Sequence, residues 1–385
     1  MGSIESFEIN VSEETINNIR TKVMSFPWEM MTPDNGWEYG ANLDYMKELC
    51  KYWVEDFDWK NQESRLNTFS HFKANVEGMD VHFIREKGSG NNPTPLVINH
   101  GWPGSIAEFT NIIGPLAHPE QFGGDIQDAF DVITPSLPGF GYSDAPPRPY
   151  GPRKIAGVIN KLMTDNLNYE KYIAQGGDWG GAVGTWLGFD HPQFCEAIYL
   201  NIMMMRHPDG PKGREEEEWS LRFEREQELE NGYRTQQATK PQTLAYAMID
   251  SPVGVAAWII EKFKSWSDLD NEDIESVYSK DDLLTNIMIY ITTGTFNTAS
   301  WIYYGRREEG GRILSPTGER VEVPTGCAVF PEELLAWPPK SYVDRMYNVT
   351  QWTEFERGGH FAAMEQPEKL VSDMRRFARS LKIGL

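Results

Sequence analysis

The chain has 385 residues, of which 40% are hydrophobic, and its formal net charge is -21 at pH 7. This length allows one large domain with an insertion, or two domains. The acidic balance argues against nucleic-acid binding, because no basic stripe could replace the counterions of phosphates. The three cysteines are widely spaced and follow no metal-ligand pattern, which predicts reduced thiols in an intracellular protein.

The first hundred residues predict a long arm followed by the first strands of a sheet. Residues 1–10 contain no apolar signal-peptide core, and no run approaches the length of a membrane span, so we expect a cytoplasmic protein without a membrane segment. An amphipathic helix is predicted after Ser12. The aromatic residues between positions 26 and 59 are expected to bury the arm against the main domain. Alternation across residues 72–83 predicts a β-hairpin.

Short buried strands alternate with helical segments through the middle of the chain. Strands are predicted at 95–99, 130–134, 172–174 and 197–200, and an apolar helix is predicted around 155–167. Strands and helices that alternate at this spacing indicate an α/β fold with a mostly parallel sheet.

The pattern changes to helices without clear strands after Met203, which we interpret as a helical cap inserted into the sheet domain. Strands return at 327–330 and 349–355, and a final helix is predicted from Pro367. The predicted organisation is an N-terminal arm and first hairpin at 1–92, a first core part at 93–202, a helical cap at 203–311 and a second core part at 312–385.

The segment Gly176-Gly177-Asp178-Trp179-Gly180 has the frame of a nucleophile elbow, with aspartate in place of serine. The elbow is a strained strand-to-helix turn that exposes one side chain above the sheet, and its glycines avoid crowding at the turn. A carboxylate in this position attacks carbon directly, which predicts an alkyl ester on the enzyme. The alternative is an ordinary loop in which Asp178 caps the next helix.

The loop that begins at His100 is expected to contribute to the same site. In this kind of fold the loop supplies one N–H of an oxyanion hole and the residue after the nucleophile supplies the other, so the predicted donors are the backbones of Trp102 and Trp179. Pro103 is a candidate for a cis peptide bond. His100 is interpreted as a structural histidine that holds its own loop.

The chain order of nucleophile, acid and histidine selects the remaining catalytic candidates. His360 follows the last strand, and we predict that it deprotonates the water that hydrolyses the ester. Glu333, after the strand at 327–330, is the predicted carboxylate partner, and Glu332 and Asp344 remain alternatives. Neither a metal nor a cofactor is expected.

Taken together, these motifs resemble epoxide hydrolases of the microsomal type. The resemblance covers nearly the whole chain, including the aromatic N-terminal arm, and it implies the α/β-hydrolase fold and the conversion of an apolar epoxide and water to a vicinal diol. The motifs that carry it are His100-Gly101-Trp102-Pro103-Gly104-Ser105, Gly176-Gly177-Asp178-Trp179-Gly180, Phe330-Pro331-Glu332-Glu333 and Gly358-Gly359-His360-Phe361-Ala362-Ala363.

The resemblance also implies two cap tyrosines that polarise the epoxide oxygen. Carried over to this chain, they are Tyr233 and Tyr304, with the adjacent Tyr303 as the alternative to Tyr304. Two features depart from the family. Mammalian members carry an N-terminal membrane anchor, which we do not expect here, and soluble fungal relatives often have aspartate where this chain has Glu333. A homodimer remains open.

Three other functions compete with epoxide hydrolysis. A haloalkane dehalogenase shares an aspartate elbow followed by tryptophan, but it has no use for the tyrosine pair. An epoxide-opening cyclase would use the same residues with an internal hydroxyl in place of water. A non-catalytic binding protein on the same scaffold is disfavoured by the complete set of candidate catalytic residues.

Overall fold

The computed structural model describes residues 4–33 and 36–383, so the first three residues of the N-terminal stretch lie outside the described part. Its strands are β1 (Ile4–Phe7), β2 (His71–Val76), β3 (Met79–Glu86), β4 (Thr94–Asn99), β5 (Phe130–Pro135), β6 (Tyr172–Gly176), β7 (Cys195–Leu200), β8 (Val321–Val329) and β9 (Tyr347–Glu354). They form one sheet in the order β1-β2-β3-β5-β4-β6-β7-β8-β9. The strands from β5 to β9 pair in parallel, whereas β1, β2, β3 and β5 pair antiparallel. The predicted mostly parallel sheet is confirmed.

The central strands are buried along their whole length. All residues of β5 and of β6 are buried, as expected of parallel strands that have helices on both faces. This burial explains why the central strands read as short continuous apolar runs in the sequence. The edge strand β1 was not predicted, because its four residues are mostly exposed and carry no apolar pattern.

Six α-helices precede β7 in the part of the chain that the structure describes. Ser12 caps the first of them by accepting a hydrogen bond from the Thr15 N–H at 3.1 Å, so the predicted helix after Ser12 is confirmed. A π-helical turn at 162–166 extends the fifth. The six are α1 (Glu13–Met24), α2 (Leu43–Glu55), α3 (Trp59–Leu66), α4 (Thr110–Ala117), α5 (Pro152–Lys161) and α6 (Asp178–Asp190).

The segment between β7 and β8 is helical, as its sequence pattern predicts. It contains α7 (Arg214–Thr239), α8 (Pro241–Met248), α9 (Pro252–Ser265), α10 (Lys280–Thr293) and α11 (Phe296–Glu308), and α12 (Lys340–Asp344), α13 (Ala362–Glu365) and α14 (Pro367–Ile383) follow later. The arm helix α1 packs on α9, and α2 and α3 pack on α10. The aromatic arm is therefore buried partly against the inserted helices. Within residues 4–33 and 36–383, no helix has both the length and the apolar character needed to cross a membrane.

The parallel strands bring the sequence motifs to one edge of the sheet. The loop at 100–105 follows β4, and Asp178 follows β6. Glu333 comes shortly after β8, and His360 comes shortly after β9. Because parallel strands all end on the same side, four segments that are far apart in the chain meet in one place.

Candidate active site

The elbow places Asp178 at the first position of α6 with a left-handed backbone, φ 44°. A side chain added at Gly180 would overlap the carbonyl oxygen of Asn99, and one added at Gly176 would overlap the backbone of Gly180. Only glycine lets β6 and α6 approach β4 this closely. The helix cap is Gly177, without a side-chain hydrogen bond, so Asp178 is not a capping residue.

The Asp178 carboxylate faces the loop after β4. Its Oδ1 accepts a hydrogen bond from the Trp102 N–H at 2.7 Å. The Trp102–Pro103 peptide bond is cis, as predicted. Helix α10 holds this loop from the other side, since Asn286 donates to the Pro103 carbonyl oxygen at 2.8 Å and Tyr290 donates to the next carbonyl oxygen at 2.7 Å. The N–H of Trp102 is thus directed at Asp178 by contacts with the inserted helices.

His360 lies between Asp178 and Glu333. Its Nε2 lies 3.5 Å from Asp178 Oδ2, and its Nδ1 donates to Glu333 Oε1 at 2.8 Å. Glu333 also accepts the Leu335 N–H at 3.1 Å. Burial favours neutral imidazole, but the charges of Glu333 and Asp178 outweigh burial and raise the pKa of His360 well above its usual value.

The alternatives to Glu333 point elsewhere. Glu332 is exposed, and Asp344 pairs with Lys340 at 2.8 Å. His100 is buried, where its Nδ1 donates to the Gly101 carbonyl oxygen at 3.0 Å and its Nε2 accepts the Leu137 N–H at 3.1 Å. Burial lowers the pKa of His100 to about 4, so it is a neutral histidine that holds its loop, in line with the structural interpretation.

Two tyrosines cover the site from the inserted helices. Tyr233 of α7 stacks on the Trp102 ring, with ring centroids 5.2 Å apart and an interplanar angle of 10°. Tyr303 of α11 lies edge-on to the Trp179 ring at 4.6 Å and to the Tyr233 ring at 5.9 Å. Burial raises the pKa of both phenols, and the charge of Asp178 raises it further. Both phenols therefore remain protonated near neutral pH and can donate.

The second cap tyrosine predicted from the sequence, Tyr304, is not the one beside Tyr233. Tyr303 is buried and contacts the rings of Trp102 and Trp179, whereas Tyr304 is partly exposed. Consecutive residues on a helix point about 100° apart, so only one of the two faces the site. In the structure Tyr303, rather than Tyr304, is therefore the tyrosine that packs beside Tyr233.

The sequence interpretation missed Glu108, which lines a small cavity next to Asp178 and His360. Its carboxyl lies so close to Gly104 that an added Cβ there would overlap Glu108 Oε1. Burial raises the pKa of Glu108 to about 8. The sequence offered only a glutamate three residues after Ser105, which also reads as the first turn of a helix.

The small cavity has room for about one water molecule, with a volume of about 10 Å³. Three of the residues that line it each have a buried atom without a hydrogen-bond partner in the protein: Asn99 Oδ1, Gln175 Oε1 and His360 Nε2. Buried polar atoms without a protein partner commonly bind ordered water. The cavity thus suits a water molecule held beside His360 and Asp178.

The fold and these contacts define an α/β-hydrolase with a carboxylate at its nucleophile elbow. Comparison with protein families agrees: the model described as alpha/beta hydrolase fold matches residues 94–295, and the model described as epoxide hydrolase N terminus matches residues 4–109. The chain belongs to the epoxide hydrolase family.

Curated relatives and solved structures point to the same family. Epoxide hydrolase 1 of Sus scrofa is 35% identical over 97% of this chain and 88% of its own length. A putative epoxide hydrolase of Stigmatella aurantiaca is 36% identical over 98% and 86%. The crystal structure of juvenile hormone epoxide hydrolase from Bombyx mori superposes with a TM-score of 0.88 at 28% identity, covering 99% of this chain and 96% of that one.

Proposed function

We propose that the chain hydrolyses an epoxide to a vicinal diol through a covalent ester on Asp178. One observation carries the proposal: His360 Nε2 lies 3.5 Å from the elbow carboxylate. The rings of Tyr233 and Tyr303 pack beside it, on Trp102 and Trp179. A carboxylate nucleophile, a histidine base and hydroxyl donors are what ring opening followed by ester hydrolysis requires.

In the first step Asp178 attacks an epoxide carbon while Tyr233 and Tyr303 donate hydrogen bonds to the ring oxygen. The C–O bond of the ring breaks and an alkoxide develops at that oxygen. Phenol donors that stand ready where charge appears lower the barrier without reorganisation. One phenol then supplies the proton, and the product is a hydroxyalkyl ester of Asp178.

In the second step His360 removes a proton from a water molecule that attacks the ester carbonyl. The tetrahedral intermediate then breaks its bond to the alkyl oxygen, which takes the proton from His360 and leaves as the diol. The proton of the regenerated Asp178 carboxyl returns to the phenolate formed in the first step. Forming the ester removes the negative charge of Asp178, which is one of the two charges that raise the pKa of His360. The imidazole can then lose its proton and act as the base, with Glu333 holding its Nδ1–H. The Trp102 N–H and the Trp179 N–H, in the first turn of α6, stabilise the oxyanion.

Diol formation from a panel of aryl and alkyl epoxides, followed by chiral chromatography, tests the proposal. We expect diol from the wild-type protein without added metal or cofactor. Halide release from haloalkanes, with no diol, would favour a dehalogenase instead. A cyclic ether formed from a hydroxy-epoxide would favour the cyclase.

The cellular location and the oligomeric state of the protein each have a direct test. We propose a cytoplasmic enzyme, for which cell fractionation is the test. A homodimer remains a prediction that sedimentation of the purified protein would test.

Replacing Tyr303 with phenylalanine should lower kcat about a hundredfold or more, because one of two donors to the developing alkoxide is lost. The ring that packs on Trp102 and Trp179 is kept, so the fold should persist. The matched control is Tyr304→Phe, for which we expect less than a twofold change. A larger loss in Tyr304→Phe than in Tyr303→Phe, measured by steady-state kinetics, would restore Tyr304 as the donor.

Replacing Glu108 with glutamine should make the protein relatively more stable at alkaline pH. The pKa of Glu108 is raised to about 8 in the folded state, so the folded state binds more protons than the unfolded state, and stability falls as pH rises from about 4.5 to about 8. Glutamine does not ionise, so the variant should not show this loss of stability. We expect a gain of more than about 1 kcal/mol in unfolding free energy at about pH 9, compared with about pH 4, since one pKa unit corresponds to about 1.4 kcal/mol.

Urea titrations of both proteins at several pH values measure this effect. Every other titrating group is common to the two proteins, so their difference isolates Glu108. An equal pH dependence of wild type and variant would show that Glu108 is ionised in the folded state.

A further inference from the structure

Five arginines from three separate segments gather beside Tyr303. They come from the segment after β7, from α7, and from α11 and the residues just after it. We call them the arginine cluster: Arg206, Arg234, Arg306, Arg307 and Arg312. Such a concentration of positive charge stands out in a chain whose formal net charge is -21.

None of these arginines forms an ion pair with a carboxylate in the described part of the chain. The nearest glutamates along α11 are already engaged: Glu308 pairs with Arg148 at 2.5 Å, and Glu309 accepts three backbone N–H groups at the start of α5. One guanidinium nitrogen of Arg206 is buried without any partner. The cluster therefore carries uncompensated charge.

The contacts that the cluster does make are with aromatic rings and neutral groups. The Arg306 guanidinium lies 4.8 Å from the centre of the Trp179 ring, and the Arg312 guanidinium lies 5.4 Å from that of Phe223. Arg234 donates to the amide oxygen of Gln227 at 3.0 Å. These contacts orient the guanidinium planes, but they supply no negative charge.

Four of the five arginines line a cavity of about 740 Å³ that opens to solvent. Tyr303 lines the same cavity, and its ring contacts Trp179, the residue after the elbow aspartate. A cavity of this size is typical of small-molecule sites. Tyr303, a side chain that the proposed reaction uses, therefore lies between this cavity and the elbow.

Arg306 packs on Trp179, the residue that follows the elbow aspartate. It follows Tyr303 by three residues on α11, and residues at this spacing share one face of a helix. The negative charge of Asp178 favours the charged form of the Arg306 guanidinium and so raises its pKa. Burial, and the nearby charge of Arg234, lower the pKa of Arg306 to about 10. A ligand that engages Tyr303 thus has its remaining atoms close to a guanidinium.

Like charges that face one cavity without counter-charges destabilise one another, and an anion bound among them relieves this repulsion. Guanidinium groups bind carboxylate and phosphate oxygens through paired hydrogen bonds. We propose that the arginine cluster binds an anionic oxygen group, carboxylate or phosphate, at the end of the substrate remote from its epoxide ring. This inference rests on the proposed function, and it narrows the expected apolar epoxide to one with an anionic end.

Two epoxides of equal size test the proposal, 4-(oxiran-2-yl)benzoate and its neutral amide, 4-(oxiran-2-yl)benzamide. We expect the wild-type protein to prefer the benzoate at least tenfold in kcat/KM, as a charge-assisted hydrogen bond predicts. The Arg306→Gln variant should lose about tenfold of this preference. The preference should also weaken in high salt, because ions screen charges at an open cavity.

Arg214→Gln is the matched control. Arg214 lies on α7 like Arg234, but it is exposed at the start of the helix and pairs with Glu218 at 2.6 Å. We expect this variant to keep both the activity and the preference of the wild type. If Arg306→Gln does not fold, Arg307→Gln at the exposed rim of the cavity tests the same preference. Comparing kcat/KM for the benzoate with that for the corresponding phenylphosphonate decides whether the cluster prefers a carboxylate or a phosphate-like group.

A binding measurement separates this inference from the proposed function. Calorimetry with 4-ethylbenzoate and 4-ethylbenzamide needs no turnover, and we expect the benzoate alone to bind, with loss of binding in Arg306→Gln. If diol forms but the benzoate epoxide is not preferred, the arginine inference is wrong and the function stands. If no diol forms but the benzoate still binds, the epoxide function fails while anion binding stands. Equal binding of both compounds would overturn the anion site.

Discussion

Replacing Asp178 with alanine is expected to abolish diol formation, with kcat falling by about 10⁴-fold or more. The carboxylate oxygen is the atom that bonds to the epoxide carbon, and alanine has no substitute for it. The remaining phenols could still polarise an epoxide, but bulk water is a weak nucleophile. Steady-state diol formation from the best epoxide of the panel is the measurement.

The control for this variant is Asp190→Ala. Asp190 ends the same helix, α6, and pairs at the surface with Arg153 at 2.7 Å, so its loss should leave turnover nearly unchanged. Thermal unfolding of both variants shows whether the left-handed backbone at position 178 tolerates alanine. An Asp178→Ala protein with the activity of the wild type would contradict the ester mechanism.

Oxygen labelling gives a second test of Asp178 that does not depend on a variant. Because water is proposed to attack the ester carbonyl, the oxygen delivered to the diol in the first turnover comes from the Asp178 carboxylate. A single turnover in ¹⁸O-water should therefore give unlabelled diol and a labelled protein. Label in the diol after one turnover would indicate direct attack of water on the epoxide.

Replacing His360 with glutamine is expected to trap the ester. Ring opening needs the carboxylate and the phenols, whereas ester hydrolysis needs a base, and loss of a general base costs about 10²–10⁴-fold. The variant should rapidly consume at most about one equivalent of epoxide per protein and then stop. Intact-protein mass spectrometry should show the protein mass increased by the mass of one epoxide.

His118→Gln is the control for the His360 variant. His118 follows the last residue of α4, and its Nε2 contacts Glu86 at 2.9 Å, so its replacement should leave turnover unaltered and give no adduct. The adduct in His360→Gln should disappear when Asp178 is also replaced. An adduct that survives in the double variant would place the nucleophile at another residue.

The raised pKa of His360 predicts at which step this histidine can act as a base. In the free protein the charges of Glu333 and Asp178 favour imidazolium, and the ester removes one of them. His360 is therefore expected to become a base only after alkylation, which orders the two steps. The same shift means that His360 contributes to stability below pH 6.5 and that this contribution is lost as pH rises through its folded-state pKa.

Much of the candidate site was predictable because its signals are local. The elbow is read from glycines on either side of Asp178, which a strand-to-helix turn requires, and the strands β4 to β7 are read from short apolar runs. Glu333 and His360 follow from the chain order of this fold. In each case a short segment carries the physical constraint, so no contact between distant residues has to be known.

The rest depended on contacts between distant segments. Tyr303 and Tyr304 are both tyrosines at adjacent helix positions, and only the packing of α11 on α7 decides which one faces Tyr233. Glu108 became a candidate only when β4, β6 and β9 brought it next to Asp178 and His360.

The sequence by itself determined the class of the fold and predicted that Asp178, Glu333 and His360 meet at one edge of the sheet, because turn geometry and buried strands constrain neighbouring residues. The tertiary structure alone decided the second phenol, the water-sized cavity and the arginine cluster. Arg206 and Arg306 are a hundred positions apart in the chain, and each reads as an ordinary solvated charge. Their proposed role in anion binding depends on the other charges nearby, and electrostatic interaction depends on distance in space rather than on separation in sequence.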